Sequence, residues 1–344
     1  MTLPNTTAQS EHRQFLRLSE LDASVCLELP IPSGWCALDD RGLIRVTGED
    51  AESFLQGQLT QDMALVKKGQ SLLAAHCNPK GRILSLFRCY FWQNQFFLDH
   101  PAALEAPALK RLTMYKLRAK VSLECASSLV SRTALWGNTM RLALQERGWE
   151  VSDQPGSTTE LAEGLLSCLS KDRWVLLSSA SYAEALRAQL TKITPKSDQG
   201  WQLTSVCAGE PEVLPLTVDT WIPQMLNLDQ LQGVSFKKGC YTGQEIVARA
   251  HFLGRVKRRM RLFAYEGDLH PEPGQIIHFN IEDPNLVPQN QPAPTELQST
   301  ELDQESGNSA HVVRAVETQP GRGWLLAVTS LISNFESSSN ENKL

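Results

Sequence analysis

Residues 236 to 255, FKKGCYTGQEIVARAHFLGR, carry the strongest chemical signal in the sequence. Thr242 followed three residues later by Glu245 is a capping box, which predicts a helix that opens at Gly243 and runs through Ile246, Val247 and Ala250. Cys240 then sits just ahead of a helix N-terminus. Free N–H groups and the positive end of the helix dipole favour a thiolate there, and Lys237 and Lys238 add positive charge. A thiolate so placed is a nucleophile or a soft ligand. The plainer reading, a buried cysteine in a tight turn, has two lysines, two glycines and a helix start against it.

The same stretch is basic. Lys237, Lys238, Arg249, Arg255, Lys257, Arg258, Arg259 and Arg261 face the single carboxylate of Glu245. Such a run reads either as an anion site, for a polyglutamate tail, phosphate or RNA, or as a solvated linker between domains. No other constellation competes: the chain has no GxSxG, P-loop, HExxH or GxGxxG. His76 and Cys77 are adjacent in a predicted strand, so they point to opposite faces. His251 lies eleven residues beyond Cys240, past the predicted helix.

The elements that position these residues follow from periodicity. Residues 43 to 47 read as a strand, and Gly48-Glu49-Asp50 opens a helix with Phe54, Leu55 and Leu59 on one face. Residues 71 to 76 and 83 to 92 flank Asn78-Pro79-Lys80-Gly81 as a hairpin, with a third strand from Gln95 to Asp99. Leu104, Ala108, Leu109, Leu112 and Tyr115 mark a helix, and residues 118 to 124 return to strand. A second cycle has strands at 133 to 136 and 173 to 178 and a helix at 182 to 190. Short strands at 261 to 265, 275 to 279, 311 to 316 and 324 to 330 predict a small β-barrel or sandwich, interrupted by a Pro-, Gln- and Ser-rich excursion near 284 to 310 that reads as disordered.

The chain has 344 residues, with 33 basic and 38 acidic side chains and a net charge of −5, so a nucleic-acid contact is local rather than chain-wide. Apolar residues at 42% and charged residues at 21% are ordinary globular usage. The expectation is a cytoplasmic protein, without a membrane span or signal core. The eight cysteines include no CxxC pair, which argues against a zinc ribbon or a single-loop cluster, and no metal is expected in the resting protein.

The string Lys238-Gly239-Cys240-Tyr241-Thr242-Gly243-Gln244-Glu245, continuing to Arg249, resembles the signature of the YgfZ family of folate-binding proteins. LAAHCNPKGR near residue 73, FLQGQLTQDM near residue 54 and YKLRAKV near residue 115 follow the family order, so the resemblance covers most of residues 38 to 260. It implies an α+β fold of the glycine-cleavage T-protein type: a partly disordered lead over 1–37, two α/β lobes over 38–254, and a C-terminal β-barrel over 255–344. It also implies binding of tetrahydrofolate or another reduced folate, and a role in tRNA modification and in maintaining iron-sulfur enzymes, including radical enzymes that thiolate tRNA.

Residue by residue, Cys240 matches the family's functional cysteine. Of two tryptophans assigned to folate, Trp201 has a counterpart, and the other falls at Arg41, which is expected to pair with the folate's glutamate tail. A glutamate expected at the pterin is replaced by Cys207. The resemblance points to an accessory factor more than a turnover enzyme. Two alternatives are an aminomethyltransferase, whose acidic position falls where Leu84 and Ser85 stand, and a non-catalytic tRNA-binding adaptor using the basic stretch.

Overall fold

The structure, a computed structural model, describes residues 16–21, 31–190, 193, 195–254, 256–281 and 309–330. It contains two five-stranded sheets and a closed five-stranded barrel. The first sheet runs in spatial order β4 (Leu72–Cys77), β5 (Ile83–Trp92), β6 (Gln95–Pro101), β3 (Arg41–Thr47) and β7 (Ser122–Cys125). The second runs β2 (Gly34–Ala37), β8 (Ser131–Trp136), β11 (Arg173–Ser178), β10 (Gly164–Ser170) and β9 (Thr158–Leu161). All neighbours in both sheets pair antiparallel.

Each sheet buries one face under helices. On the first, α1 (Ala51–Gln58), α2 (Met63–Lys67) and α3 (Glu105–Met114) bring Phe54, Leu55, Met63, Val66, Ala108 and Leu112 onto Ala74, Phe87, Cys89 and Leu98. Pro107 sits in the first turn of α3, where its missing N–H costs no helical bond. On the second, α4 (Asn138–Glu146) and α5 (Ala180–Gln189) press Met140, Leu144 and Leu186 against Leu135, Trp174 and Leu176. Each fully buried side chain of this size contributes about 1.5–3 kcal/mol.

The uncovered face of the first sheet makes the molecule one body. Leu43, Tyr90, Trp92 and Phe97 pack on Ala134, Trp136, Val175 and Leu177 of the second sheet and on Trp201 of α6 (Asp198–Cys207). Leu73, Ala75, Cys77, Ile83 and Leu86 pack on the outside of the barrel at Met260, Val313, Leu326 and Val328. The remaining helix, α7 (Gln244–Phe252), follows the cysteine turn and buries Val247 in that seam.

The lead assigned to residues 1–37 contributes strands to two of the three sheets. Leu16–Glu20 forms β1, which closes the barrel by pairing antiparallel with β12 (Arg258–Glu266) and parallel with β13 (Ile276–Ile281). β14 (Ser309–Gln319) and β15 (Arg322–Ser330) complete it. Leu16 and Leu18 alternate inward onto Phe263, Ile277 and Leu325, so five residues of a polar lead find a partner only across the chain. Gly34–Ala37 is likewise an edge strand of the second sheet. Residues 282–308, most of the expected excursion, lie outside the described residues. No described helix is long and apolar enough to cross a membrane.

Candidate functional site

The cysteine turn is anchored on both sides of Cys240. Lys238 turns inward and donates through Nζ to the carbonyl oxygens of Gln56 (2.6 Å), Leu59 (2.5 Å) and Gln61 (3.0 Å), capping the end of α1 where carbonyls lack helical partners. The ammonium also lies 5.1 Å from the ring centroid of buried Tyr241. Burial pushes Lys238 down to about 8, opposed by Asp62. This corrects the expected role of Lys238: its charge is spent on α1. Lys237 remains exposed.

The second anchor is a contact between two glycines. Gly243 has φ +82°, and a Cβ built on it strikes the Asn78 carbonyl and lies 3.0 Å from the Cα of Gly81, itself at φ +70°. Only glycine allows this approach with this backbone. Gly243 therefore caps α7, and the helix begins at Gln244 with no side-chain cap. The expected Thr242–Glu245 capping box does not form, because the left-handed Gly243 occupies the cap; Thr242 is half-buried and Gln244 and Glu245 open the helix. The opposing turn is braced by Asn78, whose Oδ1 accepts from the N–H of Lys80 (2.8 Å) and Arg82 (3.0 Å). Between the anchors, Gly239 and Cys240 are exposed. Arg249 is exposed on α7.

The basic run is thinner in space than in sequence. Arg259 is held by Asp229 (2.9 and 3.0 Å), Arg261 by Glu20 (2.7 Å), and Lys238 by carbonyls. Arg255 lies outside the described residues.

Arg41 and Trp201 do meet: both line a cavity of about 50 Å³ between the sheets and α6. Trp201 is buried, with the Arg173 guanidinium 4.4 Å from its ring centroid and Trp136 at 6.1 Å. Arg41 is not a free cation. Its guanidinium binds Asp99 (2.6 Å) and Glu212 (2.5 Å), so the grip expected on a glutamate tail is already taken by the protein's own carboxylates. Leu73, Arg88, Leu169 and Glu210 are shared with an adjoining cavity of about 400 Å³, in the size range of small-molecule sites. Cys240 lines neither cavity.

Sequence reasoning missed the residues that organise this cavity. Glu210 binds Arg88 (2.6 Å) and Arg173 (3.0 Å), joining α6's end to both sheets. Burial alone raises its carboxyl, but the two guanidiniums overcome that and hold it far below the usual carboxylate range. The legible signal was GEPE, which sets Glu210 and Glu212 two residues apart just after Cys207, the position marked as having lost its acid. The position weighed for an acid base holds Leu84 and a buried Ser85 opposite His76; burial and Arg111 push His76 down to about 4. Among the described residues no cluster of three or more metal-ligating side chains forms.

No family model matches the sequence. Curated relatives do. The tRNA-modifying protein YgfZ of Enterobacter sp. (strain 638) is 34% identical over 259 residues, 73% of this chain and 78% of that protein. The chain belongs to the YgfZ family. YgfZ of Vibrio atlanticus (strain LGP32) is 32% identical over 65% of this chain and 68% of its own. Among solved structures, the glycine cleavage system aminomethyltransferase T from Bartonella henselae superposes with a TM-score of 0.55 at 17% identity, covering 90% of this chain and 81% of that one; the YgfZ chain thus has the T-protein fold. The YgfZ-like motifs converge physically. KGCYTGQE touches NPKGR through the paired glycines and FLQGQLTQDM through Lys238, and the segment just before it is tied to the same motif by Thr60, whose Oγ1 donates to Gly233 O at 2.7 Å. The fourth, YKLRAKV, braces the start of α1, with Lys120 N–H on Asp50 at 2.7 Å.

Proposed function

We propose that this chain is a cytoplasmic accessory protein for tRNA modification, one that binds a reduced folate between its lobes and acts through the Cys240 thiol in support of iron-sulfur enzymes, including those that thiolate tRNA. The observation that carries the reading is the exposed thiol on a turn anchored twice, by Lys238 and by Gly243, where three family motifs converge. Such anchoring holds a nucleophile or transient ligand in one place at the surface.

The cavity residues fit a folate. Carboxylates of Asp99, Glu210 and Glu212 suit a pterin's amino and ring N–H groups, and Trp201, Leu73, Leu169 and Leu231 suit its apolar surface. Arg41 serves as a wall residue that orients Asp99 and Glu212. A reduced folate supplies one-carbon chemistry when bound; the protein supplies position and exclusion of water. The aminomethyltransferase reading is disfavoured by the absence of a carboxylate at Leu84 and Ser85.

Two measurements test the proposal. Tetrahydrofolate should quench tryptophan fluorescence of the purified protein, with weaker binding by Trp201→Ala. Cys240→Ser, which keeps size but not thiolate chemistry, should fold normally and fail to restore tRNA thiolation in cells lacking the protein. Full restoration by Cys240→Ser refutes the thiol role.

A further inference from the structure

The last turn of α7 and the residue entering the cysteine turn build an aromatic cluster on the surface. Phe236 and His251 stack at 3.8 Å and 14°, and Phe252 stands edge-on to both, at 5.7 and 4.8 Å. Phe252 is 67% exposed and Leu253 83% exposed, a large outlay of apolar surface for the end of a helix. Lys237, next to Phe236, Arg249, three residues before Phe252 on α7, and Lys257, five residues past it, are exposed, and the only acid on α7, Glu245, is in the opposite, first turn. Neither Phe252 nor Leu253 lines the cavities described above.

Resting on the reading of this chain as an accessory to tRNA modification, we propose that this cluster is a docking surface for an unpaired RNA segment: bases stack on Phe252, and Lys237 and Arg249 hold the flanking phosphates. Exposed rings interleaved with cations match the alternation of base and phosphate along a single strand. A protein groove, by contrast, buries its anchors in pockets and pairs acids with bases at its rim. The Phe236–His251 stack ties the cluster to the chain segment that leads to Cys240, so RNA held here lies on the element that presents the thiol.

Fluorescence anisotropy of the full-length protein with a labelled short oligouridylate tests this, with circular dichroism as a check on folding. Phe252→Ala should weaken binding about five- to 150-fold, Phe252→Leu should lose as much, and Phe252→Trp should retain wild-type affinity, since stacking needs a ring and not merely an apolar group. Lys237→Gln and Arg249→Gln should each reduce the slope of log affinity against log salt by about 0.7. Wild-type affinity in Phe252→Leu, or no binding of oligouridylate by the wild type at low salt, overturns the proposal. So does unchanged RNA affinity in Phe252→Ala combined with lost tRNA thiolation in cells, which makes the patch a protein-docking surface. Failure of the thiol reading is separable: Cys240→Ser active in cells, with Phe252→Ala defective in RNA binding, removes the first and leaves the second.

Discussion

Cysteine shows how far residue type is from residue behaviour. Burial pushes the thiols of Cys36, Cys77 and Cys89 up to about 12 and that of Cys168 to about 11. Cys125 is exposed, but its Sγ is engaged, donating to the Glu105 carboxylate at 2.8 Å. Cys240 is exposed, with no carboxylate in its turn between Lys237 and Gln244. Alkylation at pH 8 with mass mapping should therefore label Cys240 first, Cys125 more slowly, and the four buried thiols only on unfolding. Labelling of Cys125 before Cys240 removes the basis for singling out Cys240.

The element that matters most is the turn from Lys238 to Gly243, because it is held by backbone shape as well as by charge. Gly243→Ala places a Cβ against the Asn78 carbonyl in a left-handed conformation, so it should cost about 1–3 kcal/mol, lower the thermal midpoint and change the alkylation rate of Cys240. Gly239→Ala, in the same turn but with open space around its Cβ, should stay within about 0.5 kcal/mol. Equal effects of the two substitutions rule out the glycine contact as the anchor.

At the scale of the whole molecule, Glu210 ties the two sheets together through Arg88 of β5 and Arg173 of β11. Glu210→Gln leaves two guanidiniums in the seam without their counter-charge and should destabilise by about 3–5 kcal/mol, read by urea unfolding. The pH dependence has a definite sign. The folded carboxyl is depressed, so the unfolded chain takes up the proton first, near the usual value of 4.5; the contribution is complete above that pH and is lost as pH falls below it. The Glu210→Gln protein should therefore lose stability less steeply than wild type below about pH 4.5. Parallel acid unfolding curves contradict the assignment.

What could be read from the order of residues alone was local. The hairpin at Asn78–Gly81, the strand at Arg173–Ser178 and the helix carrying Leu112 follow from turn chemistry and from periods of 2 and 3.6, and Cys240 stood out because its neighbours along the chain suffice to mark it. Contacts distant in sequence decided the rest. β1 has no signal in five residues until β12 and β13 supply its ladders, and α6, which carries Trp201, escaped notice because its burying partners come from the other sheet. The charges changed most. Lys238, Arg41 and Arg259 read as available cations in one dimension, but folding gives each a partner 30 to 182 residues away, because an unpaired buried charge is too costly to leave in place.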